Sequence, residues 1–578
     1  MRCLRRPAAI AALVVAASLL HPSGALPQED ADTVRIPFPR DDGSLTPYTF
    51  RLGYPLVSLM YDTLMLRDAG GTPRPWLARS VRRNGQTLTI ELRRGARWQD
   101  GRPLSAEDVV FTFNHVATRP HPRFSPQVRD VERVQATGSH TVVVTLRRPS
   151  LGFLDQPLAD LPILPAHIWR GLPRGQLAPD GPPIGSGPYR LVEHRPGVRY
   201  RFKANRSYFR GRPAVEGIEV PIIRRADRTF EALRRREVDA IPVSLPRGSS
   251  SGLSGLGVQL AQGTSYQGVV LMLNTRGAPF NRPAVRRAFA QALDLRRIAR
   301  SAGGADPRGA TLPAVNGYIH PASRWATTRT LHRYNPRAAR ITVAEQALPP
   351  FPLLAPRDDP MRMAIARQVE TALQAVGVPT QVVELSQRRL ERAVGQDGTR
   401  PTFAAAIWSS QPLASYDPSF LRAVFGDPQT ARLNYSGYRS SEFERRADRV
   451  AAAGTRRARR RAVAAELRLL ARDLPVIPLA FPPGSFAFRP AAYTGWTFVE
   501  GSGIFEKRSF VTAQAAGVGA HDGGGGGGGG AARAPIGDPI DRSDGGGDST
   551  LPWLLGGGGL LLAIVAGGIV AGSRRARR

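Results

Sequence analysis

Residues 72–116 read TPRPWLARSVRRNGQTLTIELRRGARWQDGRPLSAEDVVFTFNHV. Within 86–92, Leu88, Ile90 and Leu92 alternate with Thr87, Thr89 and Glu91, the period-two pattern of a strand with one buried face. Asn84-Gly85 ahead of it is a hairpin-turn pair, and Asp100-Gly101 turns the chain again. Ser105 then stands at a helix N-cap position, with Glu107 and Asp108 in the first turn, where acids complement the positive end of the helix. Val109, Phe113 and Val116 share one face of that helix.

Working outward, 141–146 reads as another strand. Helices fit 283–293 (Val285, Phe289, Ala292, Leu293) and 361–376 (Ile365, Val369, Leu373, Val376). Gly377 occupies the place of a helix-terminating glycine, and 380–385 is the next strand. A last long helix fits 455–472, with Val463, Leu467 and Leu470 inward. Strands and helices alternate through proline-rich connections with no internal repeat, so the fold class is α/β.

The chain has 578 residues, 42% apolar and 22% charged, which excludes disorder over its whole length and leaves room for several domains. Basic residues number 80 against 46 acidic ones, a net charge of +34, and only Lys203 and Lys507 are lysines. The arginines are spread along the chain instead of gathering in an arm or on one helix, which argues against a nucleic-acid binder. A single cysteine, Cys3, excludes an intramolecular disulfide framework and a Cys-based zinc site. The nine histidines are scattered without metal-ligand spacing, so no metal and no cofactor is expected. Gly248-Ser249-Ser250-Ser251-Gly252 matches the nucleophile pattern of serine hydrolases, but that motif needs a strand before it and a helix after it. Pro246-Arg247 precede it and a Gly/Ser/Leu run follows, so a secreted hydrolase using Ser250 is the reading set aside, and no catalytic residue is assigned.

The two ends carry addresses. Residues 1–25 join basic Arg2, Arg5 and Arg6 to an apolar run and a small-x-small site at Ser23-Gly24-Ala25, the pattern of a secretory signal. Residues 512–550 hold eight consecutive glycines and form a linker. Residues 551–573 are uncharged and long enough for a membrane span, and arginines fill the tail at 574–578, which should stay cytoplasmic. The expectation is a cell-membrane protein with a single C-terminal anchor and its bulk outside. Removing the three arginines of the leader and the four of the tail leaves +27 on the exported part.

Three stretches, in order along the chain, resemble the family 5 extracellular solute-binding proteins of ABC importers, the oligopeptide, dipeptide and nickel binders. They are 72–116; PPIGSGPYRLVEHRPGVRYRFKANRSYFRGRPAVEGIEV at 182–220; and LNTRGAPFNRPAVRRAFAQALDLRRI at 273–298. Ser186 and Phe209 depart from the family's usual Gly-Thr-Gly-Pro-Tyr and Asn-x-x-Tyr-Trp blocks. Glu237-Val238-Asp239, Tyr334-Asn335-Pro336 and the Asp473-to-Leu479 run complete the order. The resemblance implies a two-lobed, periplasmic-binding-protein-like fold of type II, of the large cluster with an extra subdomain. A solute-binding domain would span 26–511, with lobe I at about 26–270 and 485–511, an inserted subdomain at about 60–180, and lobe II at about 271–484. It implies a binding protein that does no chemistry, closes on a peptide-like or similar small solute and delivers it to ABC permease subunits. A monomer is expected. A solute-sensing ectodomain without transport is the rival within the same class.

Candidate ligand residues follow from the same resemblance. Trp408, in AAAIWSS, matches a tryptophan that lines the pocket of peptide-binding members. Those members place an aspartate three residues later to pair with the ligand's ammonium, and here Gln411 stands there. Tyr416 and Asp417 precede Pro418 in the family's Asp-Pro position. Tyr266 lies just ahead of the strand that would cross between lobes, and Arg357 sits near the place where dipeptide binders use an arginine to hold a carboxylate.

Overall fold

The computed structural model describes residues 32–50, 53–173, 175–242, 253, 255–303 and 310–511. Strand Ala78–Asn84 turns at Gly85, whose φ of +58° suits glycine, into strand Thr87–Leu92. Leu88, Ile90 and Leu92 are buried, as their alternation requires. Helix Ala106–Thr118 begins after Ser105, whose backbone N–H donates to the Asp108 carboxylate at 2.9 Å. The other Asp108 oxygen accepts the Ala166 N–H at 2.9 Å. One acid therefore sets the helix start and docks a later segment. Strands Val131–Gly138 and Thr141–Leu146 complete a four-stranded antiparallel sheet, and the helix lays Val109, Phe113 and Val116 into its core.

Lobe I is built on a second four-stranded sheet, in which Thr33–Arg35 runs parallel to Gly217–Pro221 and strands Arg199–Ala204 and Tyr189–Arg195 follow antiparallel. The Gly-Ser-Gly run at 185–187 packs on the chain at 59–61 so closely that a Cβ on either glycine would strike backbone carbonyls there. Ser186 donates to Asp62 at 2.9 Å. Asp62 also receives Trp76 Nε1 at 3.0 Å, the Tyr208 hydroxyl at 2.8 Å and Lys507 Nζ at 2.5 Å. This explains one of the chain's two lysines: it is buried and supplies a cation that ties the end of the domain to its beginning.

Lobe II centres on strand Val269–Leu273, buried at all five positions, between Val476–Phe481 and Ala405–Ser409 in a six-stranded sheet. Strands Phe351–Pro356 and Thr380–Leu385 are parallel and joined by helix Pro360–Gln374, a βαβ unit whose helix and second strand the periodicity around Gly377 anticipates and whose first strand it does not. Asp359 caps that helix by accepting the Arg362 N–H at 3.0 Å. Between the lobes, strands Gln259–Gly263 and Gly484–Phe488 pair antiparallel, with Ala240–Pro242 on the far side. The outgoing and returning crossings thus lie side by side, the arrangement through which two lobes can bend by changing few backbone angles.

The membrane expectation is corrected. Among the described residues no helix is long and apolar enough to cross a membrane. The longest, Arg456–Asp473, is crowded with arginine, whereas a span needs about 20 mostly apolar residues. Among the described residues the fold is therefore two-lobed α/β with no membrane-spanning helix, and the expected single-pass cell-membrane location is not carried forward. The leader at 1–25, Ser250, the linker at 512–550, the apolar stretch at 551–573 and the tail at 574–578 lie outside the described residues.

Candidate ligand-binding cleft

A cleft of about 3130 Å³ separates the lobes. Lobe I and the subdomain contribute Tyr54, Arg67 and Arg123; lobe II contributes Trp408 and Gln411; and the segment at 499–508 lies along the floor. Two arginines from the lobe I side stack on aromatic rings, one on Tyr54 beside it and one on Tyr416 of lobe II. The Arg123 guanidinium lies 3.9 Å from the Tyr54 ring centroid and pairs with both oxygens of Asp160, at 2.9 and 2.6 Å. Burial alone would raise the Asp160 carboxyl, but Arg123 prevails and holds it below the usual range. The Arg67 guanidinium lies 4.2 Å from the Tyr416 ring centroid and donates to the Asp155 and Ala159 carbonyls at 3.0 and 3.2 Å.

The lobes also touch across the cleft. Arg40, on lobe I, places Nη1 at 2.5 Å from Glu391 of helix Gln387–Val394 in lobe II, with its Nε at 3.1 Å from Asp42. Beside it, Asp41 accepts the Tyr200 hydroxyl and bonds His194 at 3.0 Å. Burial opposes ionisation of Asp41, yet Tyr200 and the Gly197 and Gly43 amides bring its pKa down to about 2. On the subdomain wall His121 stacks on Phe124 at 4.5 Å, and burial lowers its pKa to about 4, leaving it neutral at physiological pH.

Of the six residues proposed from sequence, four line the cleft. Trp408, on strand Ala405–Ser409, is 8% exposed and meets Tyr435 edge-on at 6.0 Å. The Gln411 backbone N–H donates to the Tyr318 hydroxyl at 3.1 Å, which leaves its side chain on the cleft wall. Arg357 is exposed, with Asp358 as its nearest acid at 3.7 Å. Tyr416 donates to the Glu500 carbonyl and lies 3.0 Å from the Ser502 hydroxyl, tying lobe II to the floor. The other two stand behind the wall. Tyr266 packs on Tyr416 at 4.8 Å with its hydroxyl 3.2 Å from Glu500, and Asp417 is spent on a buried pair with Arg459 and on the Ser419 N–H.

Sequence reasoning missed Arg40, Glu391, Arg67, Arg123, Asp160 and Glu506. Each pairs with, or sits near, residues far away along the chain, and no local motif marks any of them. Among the described residues no group of three or more His, Cys, Asp or Glu side chains could hold a metal ion.

The family model for bacterial extracellular solute-binding proteins, family 5 Middle, matches residues 72–431. A probable di/tripeptide-binding protein 5 from Pseudomonas aeruginosa is 28% identical over 322 residues, covering 50% of this chain and 59% of that protein. The chain thus aligns to less than two thirds of that relative's length. Among solved structures, the oligopeptide-binding protein AppA from Bacillus subtilis, in complex with a nonapeptide, superposes with a TM-score of 0.73 at 20% identity, covering 83% of this chain and 99% of that one. NikZ from Campylobacter jejuni, in complex with Ni(L-His), gives 0.70 at 19% identity, covering 79% and 94%.

Proposed function

Because this chain belongs to the bacterial extracellular solute-binding proteins of family 5, we propose that it is the extracytoplasmic substrate-binding protein of an ABC importer, enclosing a peptide-like solute between its lobes and passing it to a permease. The named relatives range from a di/tripeptide binder to proteins solved with a nonapeptide or a nickel–histidine complex. One observation favours the long end of that range, the cleft volume of about 3130 Å³. Ordinary small-ligand pockets hold about 300–1,000 Å³. A dipeptide or a metal chelate would leave most of this space to water, whereas an extended chain of several residues would fill it and touch both lobes, which is the condition for a ligand to drive closure. Trp408, Tyr416, Gln411 and Arg357 would then line its path, and no residue is asked to do chemistry.

A thermal-shift series tests the size argument. Pooled peptides of about two to nine residues, each length tested separately with the full chain, should stabilise it progressively up to about five residues and then level off. At a hundredfold excess over Kd the expected gain is about 2.7 kcal/mol. Stabilisation by dipeptides alone refutes the long-ligand reading, and no stabilisation by any length refutes the peptide reading.

A further inference from the structure

The cleft floor contains a carboxylate that the fold leaves unclaimed. Glu506 lies in the segment at 499–508 that lines the cleft, with its backbone N–H bonded to the Ile504 carbonyl at 2.8 Å. Its side chain takes a hydrogen bond from Ser502, but among the described residues no arginine or lysine nitrogen comes within 4.0 Å of it. Every cation nearby is otherwise engaged. Lys507 is paired with Asp62 and the Tyr61 carbonyl, Arg123 with Asp160, and Arg67 with two carbonyls and the Tyr416 ring. Arg508 donates to the carbonyls of Arg67 and Leu66. A half-buried carboxylate without its own cation is costly to keep, and desolvation accordingly raises the Glu506 pKa. Its position gives that cost a use, because it opens into the space a ligand fills.

We infer that Glu506 is a ligand anchor that takes an amine, either a terminal ammonium or a basic side chain, through a charge-assisted hydrogen bond on the cleft floor. The inference rests on the peptide-binding reading above. The arriving ammonium supplies the counter-charge that the fold withholds, so the site is selective for the charged amine over its acylated form. Ser502, which also lies 3.0 Å from the Tyr416 hydroxyl, links the anchor to lobe II, so an occupied anchor and a closed cleft support each other.

The test uses the full chain and an equimolar pool of synthetic pentapeptides in four sets, N-terminally free or acetylated, with or without one lysine. Retained peptides are counted by mass spectrometry. The expected result is at least tenfold enrichment of amine-bearing sets over the acetylated, lysine-free set. In Glu506→Gln that enrichment should collapse towards one while peptides are still retained, a loss of selectivity that a merely structural role would not produce. Equal retention of all four sets by the unaltered chain, or undiminished enrichment in Glu506→Gln, overturns the anchor and leaves the peptide reading standing. Should Glu506→Gln fail to fold, the ratio in the unaltered chain decides alone. Retention of no peptide at all by the unaltered chain overturns the peptide reading, and the anchor with it.

Discussion

Asp160 in the cleft wall and Glu466 in the lobe II core are both fully buried carboxylates near arginines, and they end in opposite charge states. Asp160 receives two guanidinium nitrogens from Arg123 and the Gln127 amide at 2.7 Å, so its charge is met from several directions and its pKa falls. Glu466 has no hydrogen-bond partner on either oxygen. Its neighbour Arg459 turns to Asp417 and the Ser419 hydroxyl, at 2.8 Å, leaving two guanidinium nitrogens without partners. Burial, offset only in part by Arg459, then drives the Glu466 pKa up to about 8. Nearness to a cation does not offset desolvation; a directed, bidentate bond does. Asp160 on the cleft wall has its charge matched in this way, whereas Glu466 in the scaffold behind it does not.

The largest way to break that contrast is Asp160→Asn. It leaves the Arg123 guanidinium buried without a counter-charge, and such losses cost about 3–5 kcal/mol. Denaturant unfolding should show a loss of that size, and a loss under about 1 kcal/mol would mean that the pair is no more than a surface contact.

Glu466→Gln should act the other way. Its folded pKa of about 8 lies above its ordinary value of 4.5, so the stability tied to its proton is fully present below pH 4.5 and is lost as the pH rises through about 8. The amide has no proton to lose. The variant should therefore exceed the unaltered protein most clearly above pH 8, by about 1–4 kcal/mol, with the gap closing towards pH 5. A variant less stable at every pH would show that the Glu466 charge is matched after all. In the acid range the unaltered chain faces an opposing trend. Burial lowers the pKa of His115, His121 and His320 from 6.5 to about 4 each, so stability falls as the pH drops through that interval.

The same contrast marks what sequence could and could not tell. Leu88, Ile90 and Leu92 announce a strand because burial there repeats with the local backbone period, and Ser105 announces a helix because a cap acts within one turn. Trp408 was reachable through its motif. Asp160, in contrast, meets Arg123 37 positions earlier, and Lys507 meets Asp62 445 positions earlier. Such pairs exist only after the sheets have packed, and among the arginines of this chain nothing local distinguishes Arg123 or Arg40 from a solvated side chain. Asp417 illustrates the converse: its place before Pro418, in the family's Asp-Pro position, put it among the ligand candidates, while the fold commits it to Arg459.

The smallest effect should come from Arg40 and Glu391 at the cleft mouth, one of several ion pairs that join the lobes, along with Arg324 to Asp155 and Arg148 to Asp448. Arg40 and Glu391 have side chains 18% and 5% exposed, against 23% and 0% for Arg123 and Asp160, so what separates the two pairs is their other partners and not their burial. Glu391 also accepts the Gln387 amide at 3.1 Å, and Arg40 keeps Asp42, so neither partner is orphaned when the lobes part. Opening separates Arg40 from Glu391 and lets water replace the bond, so the pair contributes only to the closed state. Because water reaches both groups once the lobes part, the pair is worth about 1 kcal/mol at most, roughly fivefold in an equilibrium constant. Glu391→Gln keeps the shape and the Gln387 contact while removing the charge. It should speed peptide release about fivefold in stopped-flow measurements, leave the association rate nearly unchanged, and lose that difference from the unaltered chain at high salt. Release that is unaltered at low salt would place the pair with ordinary surface contacts.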